Sequence, residues 1–360
     1  MMRKKNVIRV SVMVLSCLLI ALLYIQLHKQ NNKESTHVSN ESLEYKGVAI
    51  SLFDSNNNDG WYDEKLPKIR SLGAGLQVVS AVTVQNKNDS LPVNDPRIDE
   101  KFQRLFAKSK QYEVPVTIIK PHIMLPGFRD DFDRGTYQPN DINTFFEKWK
   151  QIILYYAAVS SENNVPILSI TCETPYLTQN IYISRWQDII KEIHLKYPQL
   201  KVTMSFKKSE LDRELDYHEQ GLNAVSTKLD YIGLNMYPIV KRVNNNTALK
   251  ANDDAFLTPP GDKGYIYDIK KAKKYFKKDT IITETGASPR SDREAAYLNP
   301  AVLDETKPKD YIDQNQWVKT VLEVLLQTKE VKGVYMWHMN SPFDFLDSPT
   351  SETVKESYEN

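Results

Sequence analysis

Apolar residues fall along this chain in short, nearly unbroken runs. Longer stretches separate them, in which apolar positions recur every three or four residues. The runs are GVAISLF (47–53), LQVVSAVTV (76–84), VPVTIIK (114–120), VPILSIT (165–171), KVTMSF (201–206), YIGLNMY (231–237), TIITET (280–285) and VKGVYMW (331–337). Helical patterns occupy 95–113, 142–162, 182–197 and 311–328, and Asp95 with Pro96 forms an N-cap and first-turn pair for the first of these. β-branched runs alternating with amphipathic helices predict a parallel sheet covered on its faces. Eight such units in residues 45–360 match a (β/α)8 TIM barrel in number and length. An open doubly wound sheet is the rival, but no G-x-G-x-x-G or G-x-x-x-x-G-K-[ST] loop follows a strand.

The start of the chain follows a different pattern. Arg3, Lys4, Lys5 and Arg9 precede an uncharged, mostly apolar run from Val10 to Leu27. That is near the lower end of what spans a hydrocarbon core roughly 30 Å thick. No small-residue cleavage site follows it, and the apolar stretch continues past Cys17, which disfavours a cleaved or lipidated signal. Residues 1–30 are therefore expected to be a cytoplasmic basic flank and a single-pass transmembrane helix. Residues 31–44 read as a polar linker, and 45–360 as one domain outside the cytoplasm.

Charge and composition then narrow the partners. The chain holds 47 Lys and Arg against 46 Asp and Glu, for a net charge of +1. Five of the basic residues (Arg3, Lys4, Lys5, Arg9 and Lys29) belong to the membrane segment, which leaves the exported part mildly acidic. A nucleic-acid partner would call for a clustered basic excess and is not expected. A neutral glycan suits this charge better than a polyanion. Two cysteines exclude a disulfide scaffold, and with Cys17 in the membrane, Cys172 has no partner. There is no H-E-x-x-H, C-x-x-C, EF-hand or G-x-S-x-G motif, so neither metal nor cofactor is expected.

In a barrel, chemistry gathers at the C-terminal strand ends. The fourth run leads into SITCETPY (169–176), placing Glu173 just past its strand, and the seventh into IITETGAS (281–288), placing Glu284 at the same level. Strands four and seven lie nearly opposite, so both carboxylates can face one cavity. A pair with environments that differ can split its roles, one protonated as general acid and one ionised as nucleophile or base. Glycoside hydrolysis uses that arrangement. Either glutamate alone is equally well read as the partner of a loop lysine.

The chain resembles glycoside hydrolase clan A, and within it is most similar to the family 113 endo-β-mannanase type. The resemblance is carried by VTIIKPHIML (116–125), DYIGLNMYP (230–238), IITETGAS and GVYMWHMNSPFDF (333–345), in that order and spacing. It implies a retaining enzyme with Glu173 as acid/base, Glu284 as nucleophile and a β-linked, mannan-like glycan as substrate; the expected anchor adds a cell-surface glycan as the other possibility. Many clan members carry asparagine immediately before the acid/base; here Cys172 stands in that place.

The neighbours are read from position. Tyr237 at the end of strand six can donate to Glu284, or cap the barrel mouth. Asn235 shares its face. Trp337 offers a flat surface under a sugar ring or packs in the core, while His338 alternates away from it. Lys120 and His122 are expected past strand three, able to bond sugar hydroxyls. The loop GFRDDFDRG (127–135), with Arg129, Asp130, Asp131, Asp133 and Arg134, reads as solvated or as one rim of the cleft. The lysines of 270–278 read as a solvated helix face. Two rivals remain: a non-catalytic glycan-binding surface protein on the same scaffold, and an unrelated barrel enzyme such as an aldolase, for which Lys120 is the clear lysine candidate.

Overall fold

The computed structural model describes residues 43–359 apart from 54–57, 128–133, 243–254, 291–294 and 341. The expected membrane segment and nearly all of the linker lie outside the described residues. No described helix is long and apolar enough to cross a membrane.

Eight strands run β1 (Tyr45–Ser51), β2 (Gly75–Thr83), β3 (Val116–Met124), β4 (Ile167–Cys172), β5 (Lys201–Phe206), β6 (Ile232–Asn235), β7 (Thr280–Thr285) and β8 (Val331–Met336). Eight helices follow them in turn: α1 (Asp59–Ser71), α2 (Ile98–Tyr112), α3 (Ile142–Glu162), α4 (Ile183–Lys196), α5 (Lys208–Glu219), α6 (Tyr265–Phe276), α7 (Tyr311–Leu326) and α8 (Thr350–Glu359). Each strand pairs in parallel with the next, and β1 pairs with both β2 and β8. That last pairing closes the sheet and excludes the open doubly wound alternative. Two short additions lie outside the barrel ladder. Val93–Asn94 runs antiparallel to β2, and Val240–Lys241 pairs antiparallel with Tyr297–Leu298.

The floor of the barrel is a small buried cluster of Ile118, Ile167, Ile281 and Tyr335. Tyr335 fits because Gly47 faces it: a Cβ there would lie 2.2 Å from the ring. The main core lies between strands and helices, and three buried tryptophans tie that layer to the C-terminal rim of the barrel. Trp149 on α3 donates to the Ile170 carbonyl at 3.0 Å, and Trp186 on α4 to Leu177 at 2.8 Å. Trp317 on α7 donates to Pro238 at 2.8 Å. Each indole fills the core and satisfies a carbonyl at a strand end or in the loop that follows it, so helix packing and rim geometry are set together.

Two local expectations change. α2 starts at Ile98, and its N-cap residue Arg97 makes no side-chain cap bond. Asp95 instead accepts from the Arg97 amide and pairs with Lys101, an Asx turn leading into the helix. β3 runs four residues further than its apolar run, so Lys120 and His122 lie within the strand rather than past it. Pro121 is tolerated there because β3 meets β4 only at Ile118 and Ile119.

α5 buries two glutamates. Glu210 accepts from the Lys207 amide at 3.0 Å and the Thr178 hydroxyl at 2.8 Å, which fixes the turn carrying Lys207. Glu214 accepts from the Ser226 amide at 2.9 Å, and its other oxygen is buried without a hydrogen bond. Burial pushes the Glu214 carboxyl from an ordinary 4.5 up to about 7. The folded state therefore holds a proton there that the unfolded state has lost, so stability falls as pH rises between those values. The ceiling on this loss is about 3 kcal/mol. Burial raises Glu210 from 4.5 to about 7 as well, so Glu214→Gln is expected to remove only part of this slope, which urea midpoints at pH values below, within and above the window will show.

Candidate active site

Both candidate carboxylates reach the cavity through irregular strands. Ile281 belongs to the barrel floor, so strict alternation would turn Glu284 outward. The register shows why it does not. Between the pairs Leu234↔Ile282 and Asn235↔Glu284, β7 advances two residues while β6 advances one. Against β8 it advances three to two. Thr283 is thus the extra residue of a β-bulge, which re-aims Glu284 inward. Its carbonyl accepts from the buried Gln77 amide at 2.7 Å. β4 repeats the device. Between Ser169↔Thr203 and Cys172↔Ser205 it carries one extra residue, and the Ser169 hydroxyl donates to the Thr171 carbonyl at 3.0 Å. Past that bulge Glu173 takes a left-handed backbone (φ 52°), with its amide donating to Ser205. A non-glycine residue pays roughly 1–2 kcal/mol for this, and the strain sits at the residue aimed into the cavity.

Glu284 is held at both oxygens. Lys120, fully buried, pairs with Oε1 at 2.5 Å, and the Tyr237 hydroxyl donates to Oε2 at 2.9 Å. Burial pushes the Glu284 carboxyl above its ordinary range, against the pull of the Lys120 and Arg134 charges. Burial likewise holds the Tyr237 hydroxyl well above its ordinary value, so it stays a donor.

Glu173 stands in a different setting. Asn235 donates to its Oε1 at 2.9 Å and accepts from Thr283, the bulge residue, at 2.8 Å. Arg134 lies 3.5 Å and Lys207 3.8 Å from its Oε2. The two carboxylates therefore share one cavity but differ in partners. Cys172 sits between them, its Sγ 3.8 Å from Glu284 and 3.6 Å from the Asn235 amide. Burial raises its thiol, which stays protonated and unreactive.

Trp337 is half-buried at the end of β8, stacked at 5.9 Å on His122 and 5.2 Å from the Lys120 ammonium. The Trp337–His338 peptide bond is cis. A Cβ on Gly286 would lie 1.8 Å from the Trp337 carbonyl oxygen, so the glycine of TETG is required where the ends of β7 and β8 meet. His338 packs behind, 3.0 Å from the Ser51 hydroxyl. His122 is buried, and burial first, then Arg134 and Lys120, push its pKa far down, so its imidazole is neutral. Its Nε2 makes no hydrogen bond and lies 3.7 Å from Glu284.

The structure thus brings Lys120, His122, Glu173, Asn235, Tyr237, Glu284 and Trp337 into one cluster of contacts at the strand ends. Lys120 contacts the nucleophile candidate directly instead of reaching toward sugar hydroxyls, and Asn235 contacts the acid candidate. Arg134 is not a solvated loop residue: its side chain is only 10% exposed. The other charged residues of that loop lie outside the described residues. Lys207, Thr283 and Gln77 carried no sequence signal. His122, Cys172 and Glu284 present N, S and O donors within 4.8 Å of one another. A divalent ion there would have to displace the Lys120 ammonium and deprotonate a buried thiol, so this donor set fits acid–base chemistry better than a metal. A separate cavity of about 220 Å³ lies between the segments after β6 and β7. Neither catalytic candidate lines it, and its Arg242 is paired with Asp313.

The model of Glycoside Hydrolase Family 113 matches residues 122–358. A GH113 β-1,4-mannanase structure is similar at 16% identity and TM-score 0.66, covering 88% of this chain and 99% of that one. The GH113 β-mannanase of Alicyclobacillus acidocaldarius, in complex with ManMIm, is similar at 12% identity and TM-score 0.63, covering 88% and 97%. A β-glucuronidase of Ruminococcus gnavus with uronic deoxynojirimycin reaches TM-score 0.55 at 12% identity, covering 88% of this chain and 50% of that one. No curated protein sequence matches the chain.

Proposed function

From the premise that this chain belongs to glycoside hydrolase family 113 and is a retaining glycosidase, we propose that it cleaves a β-linked, mannan-like or cell-surface glycan by double displacement. Glu284 attacks the anomeric carbon while Glu173 protonates the leaving oxygen. Glu173 then takes a proton from the water that releases the sugar. The observation that carries the assignment is the unequal treatment of the two acids. Glu284 has a cation on one oxygen and a hydroxyl on the other, which hold an ionised nucleophile in one orientation. Glu173 is aimed by a strained turn and held by an amide. A glycan-binding surface protein has no use for that distinction. A Schiff-base lysine is disfavoured because Lys120 is committed to Glu284.

The mannan part of this reading is supported by the GH113 mannanases among the similar structures. The basic flank and the apolar run 10–27 support a single-pass anchor with the barrel outside the cytoplasm. The test is proton NMR of the full-length chain acting on β-1,4-manno-oligosaccharides and cell-surface glycans. The first product is expected as the β-anomer, before mutarotation. An α-anomer appearing first would rule out the double displacement.

A further inference from the structure

We propose that the end of the barrel opposite the active site docks on the outer surface of an anionic lipid bilayer, through lysines and two leucines on the loops before β5, β6 and β7. The inference rests on the reading of residues 1–30 as a membrane anchor and adds how the barrel stands on that membrane.

Neighbouring barrel strands are parallel throughout, so their N-terminal ends and the helix-to-strand loops that enter them share one end of the barrel. The internal segments left undescribed all fall in strand-to-helix connections, at the other end. Among the exposed large hydrophobics, Leu195 and Leu222 are the two at the helix-to-strand end, 79% and 43% exposed. Leu195 lies in the last turn of α4, and Leu222 follows α5.

Lysines surround them. Lys201, Lys228, Lys274 and Lys277 are exposed and Lys278 partly so, and none of the five has an acidic partner among the described residues. The acids of this arc are mostly committed elsewhere: Asp230 lies 2.9 Å from His194, Asp279 2.7 Å from Lys273 and Glu219 2.9 Å from Lys271. Asp216 is the remaining one. The same contacts make the arc one connected surface. His194 and Asp230 join α4 to the entry of β6, while Tyr275 on α6 stacks on His218 and donates to Glu219 at 2.8 Å. Elsewhere the end is mixed in charge: Arg70 pairs with Glu113, and α8 finishes on Glu356 and Glu359. Attraction to an anion is thus confined to the arc before β5, β6 and β7.

The occupant follows from the path of the chain. β1 begins at Tyr45, at this same end, and only residues 31–44 separate it from the expected anchor. A flexible polar chain of that length spans roughly 20 Å. Its acids, Glu34, Glu41 and Glu44, join the barrel at β1, across the ring from β5. An anchor ending near residue 30 keeps this end beside the bilayer. Lipid phosphates complement the lysines, and the leucines sink between headgroups, as the apolar face of an interfacial segment does. Tethering raises the local concentration, so contacts too weak to recruit a free protein suffice here. The active site then opens away from the membrane.

The test places the full-length chain, with Cys17→Ser, in vesicles of phosphatidylcholine alone or with about one quarter phosphatidylglycerol. A spin label is carried at Leu195→Cys or, at the catalytic end, at the 81% exposed Ile312→Cys; Cys172 is buried. Collision of each label with a water-soluble nickel chelate is read by EPR. With phosphatidylglycerol, collision at position 195 is expected to fall about threefold or more and to recover in high salt, while position 312 stays unchanged. Reversing Lys228, Lys277 and Lys278 together to Glu should abolish that protection, with an unfolding midpoint near wild type. The lipid and salt dependence of the unreversed chain decides the matter even if the reversed one fails to fold. A chain that floats with both vesicles in high salt but shows no protection at 195 overturns this inference and leaves the anchor reading intact. Equal protection at 195 and 312 overturns it too. A chain that floats with neither vesicle overturns the anchor reading, and the inference with it. If a soluble glycerol phosphate polymer protects position 195 on neutral vesicles as well as phosphatidylglycerol does, the face binds a wall polyanion and the lipid assignment is wrong.

Discussion

Glu284→Gln is expected to lower kcat by roughly 10⁴-fold or more, because an amide cannot form the glycosyl-enzyme bond. The same change strips the fully buried Lys120 of its counter-charge. Removing one partner of a buried pair costs about 3–5 kcal/mol, so the variant should also unfold at clearly lower denaturant. Lys120→Met combined with Glu284→Gln should recover part of that stability without any activity, since both charges are then gone. Glu284→Ala leaves space beside Lys120 for a small anion. Azide is expected to enter it and give an inverted glycosyl azide from an activated substrate, which identifies the missing group as the nucleophile. The wild type carries a further mark. Burial raises Glu284 above the ordinary 4.5, so the acid limb of kcat/KM should lie above that value. Activity falls as pH drops through the raised value, because protonation removes the nucleophile. Wild-type turnover by Glu284→Gln would end the assignment.

The barrel itself was legible because each strand is a short apolar run and four of the helices, α2, α3, α4 and α7, show a clear helical pattern; α1, α5 and α8 were not read from the sequence. The α3 boundaries, Ile142–Glu162, match the helical pattern, while β3 ran on past its apolar run through Lys120 and His122. A polar residue inside a barrel strand reads as the end of the strand; here it marks where the interior changes from floor to active site. The bulges at β4 and β7 were not legible at all. A bulge is a mismatch between two strands, and a strand buried on both faces has no polar alternation to betray it. Glu173 and Glu284 could be placed at the right height, but what turned Glu284 inward was Thr283, an unremarked residue of an apolar run.

Charge was legible only as a total. Residues 31–360 are mildly acidic in total, yet Lys120, Arg134 and Lys207 gather around two carboxylates at the strand ends. Net charge governs solubility and long-range steering, whereas binding responds to the few groups that share a low-dielectric cleft. Arg134 was masked by its company: among arginines and aspartates the loop reads as solvated or as a rim of the cleft, and its 10% exposure and its place beside Glu173 favour the second for this residue.

Glu173→Gln is expected to behave differently from the Glu284 variant, and the contrast tests the division of labour. Loss of a general acid costs about 10²–10⁴-fold on a glycan whose leaving group is a sugar hydroxyl. An aryl glycoside with an acidic leaving group needs no proton, so its first step should be nearly spared and its glycosyl-enzyme should accumulate as a burst. In Glu173→Ala, azide needs no base to attack that intermediate and should restore turnover. Its product should keep the β configuration, opposite to the azide product of Glu284→Ala. Stability should separate the two sites as well. A glutamine at 173 can still accept from Asn235, as Oε1 does at 2.9 Å, and its cations lie at the longer distances of 3.5 and 3.8 Å. Its unfolding midpoint should therefore stay close to wild type while that of Glu284→Gln falls. If both variants lost stability alike, or if azide gave the same anomer from both alanine variants, the roles assigned here would be wrong.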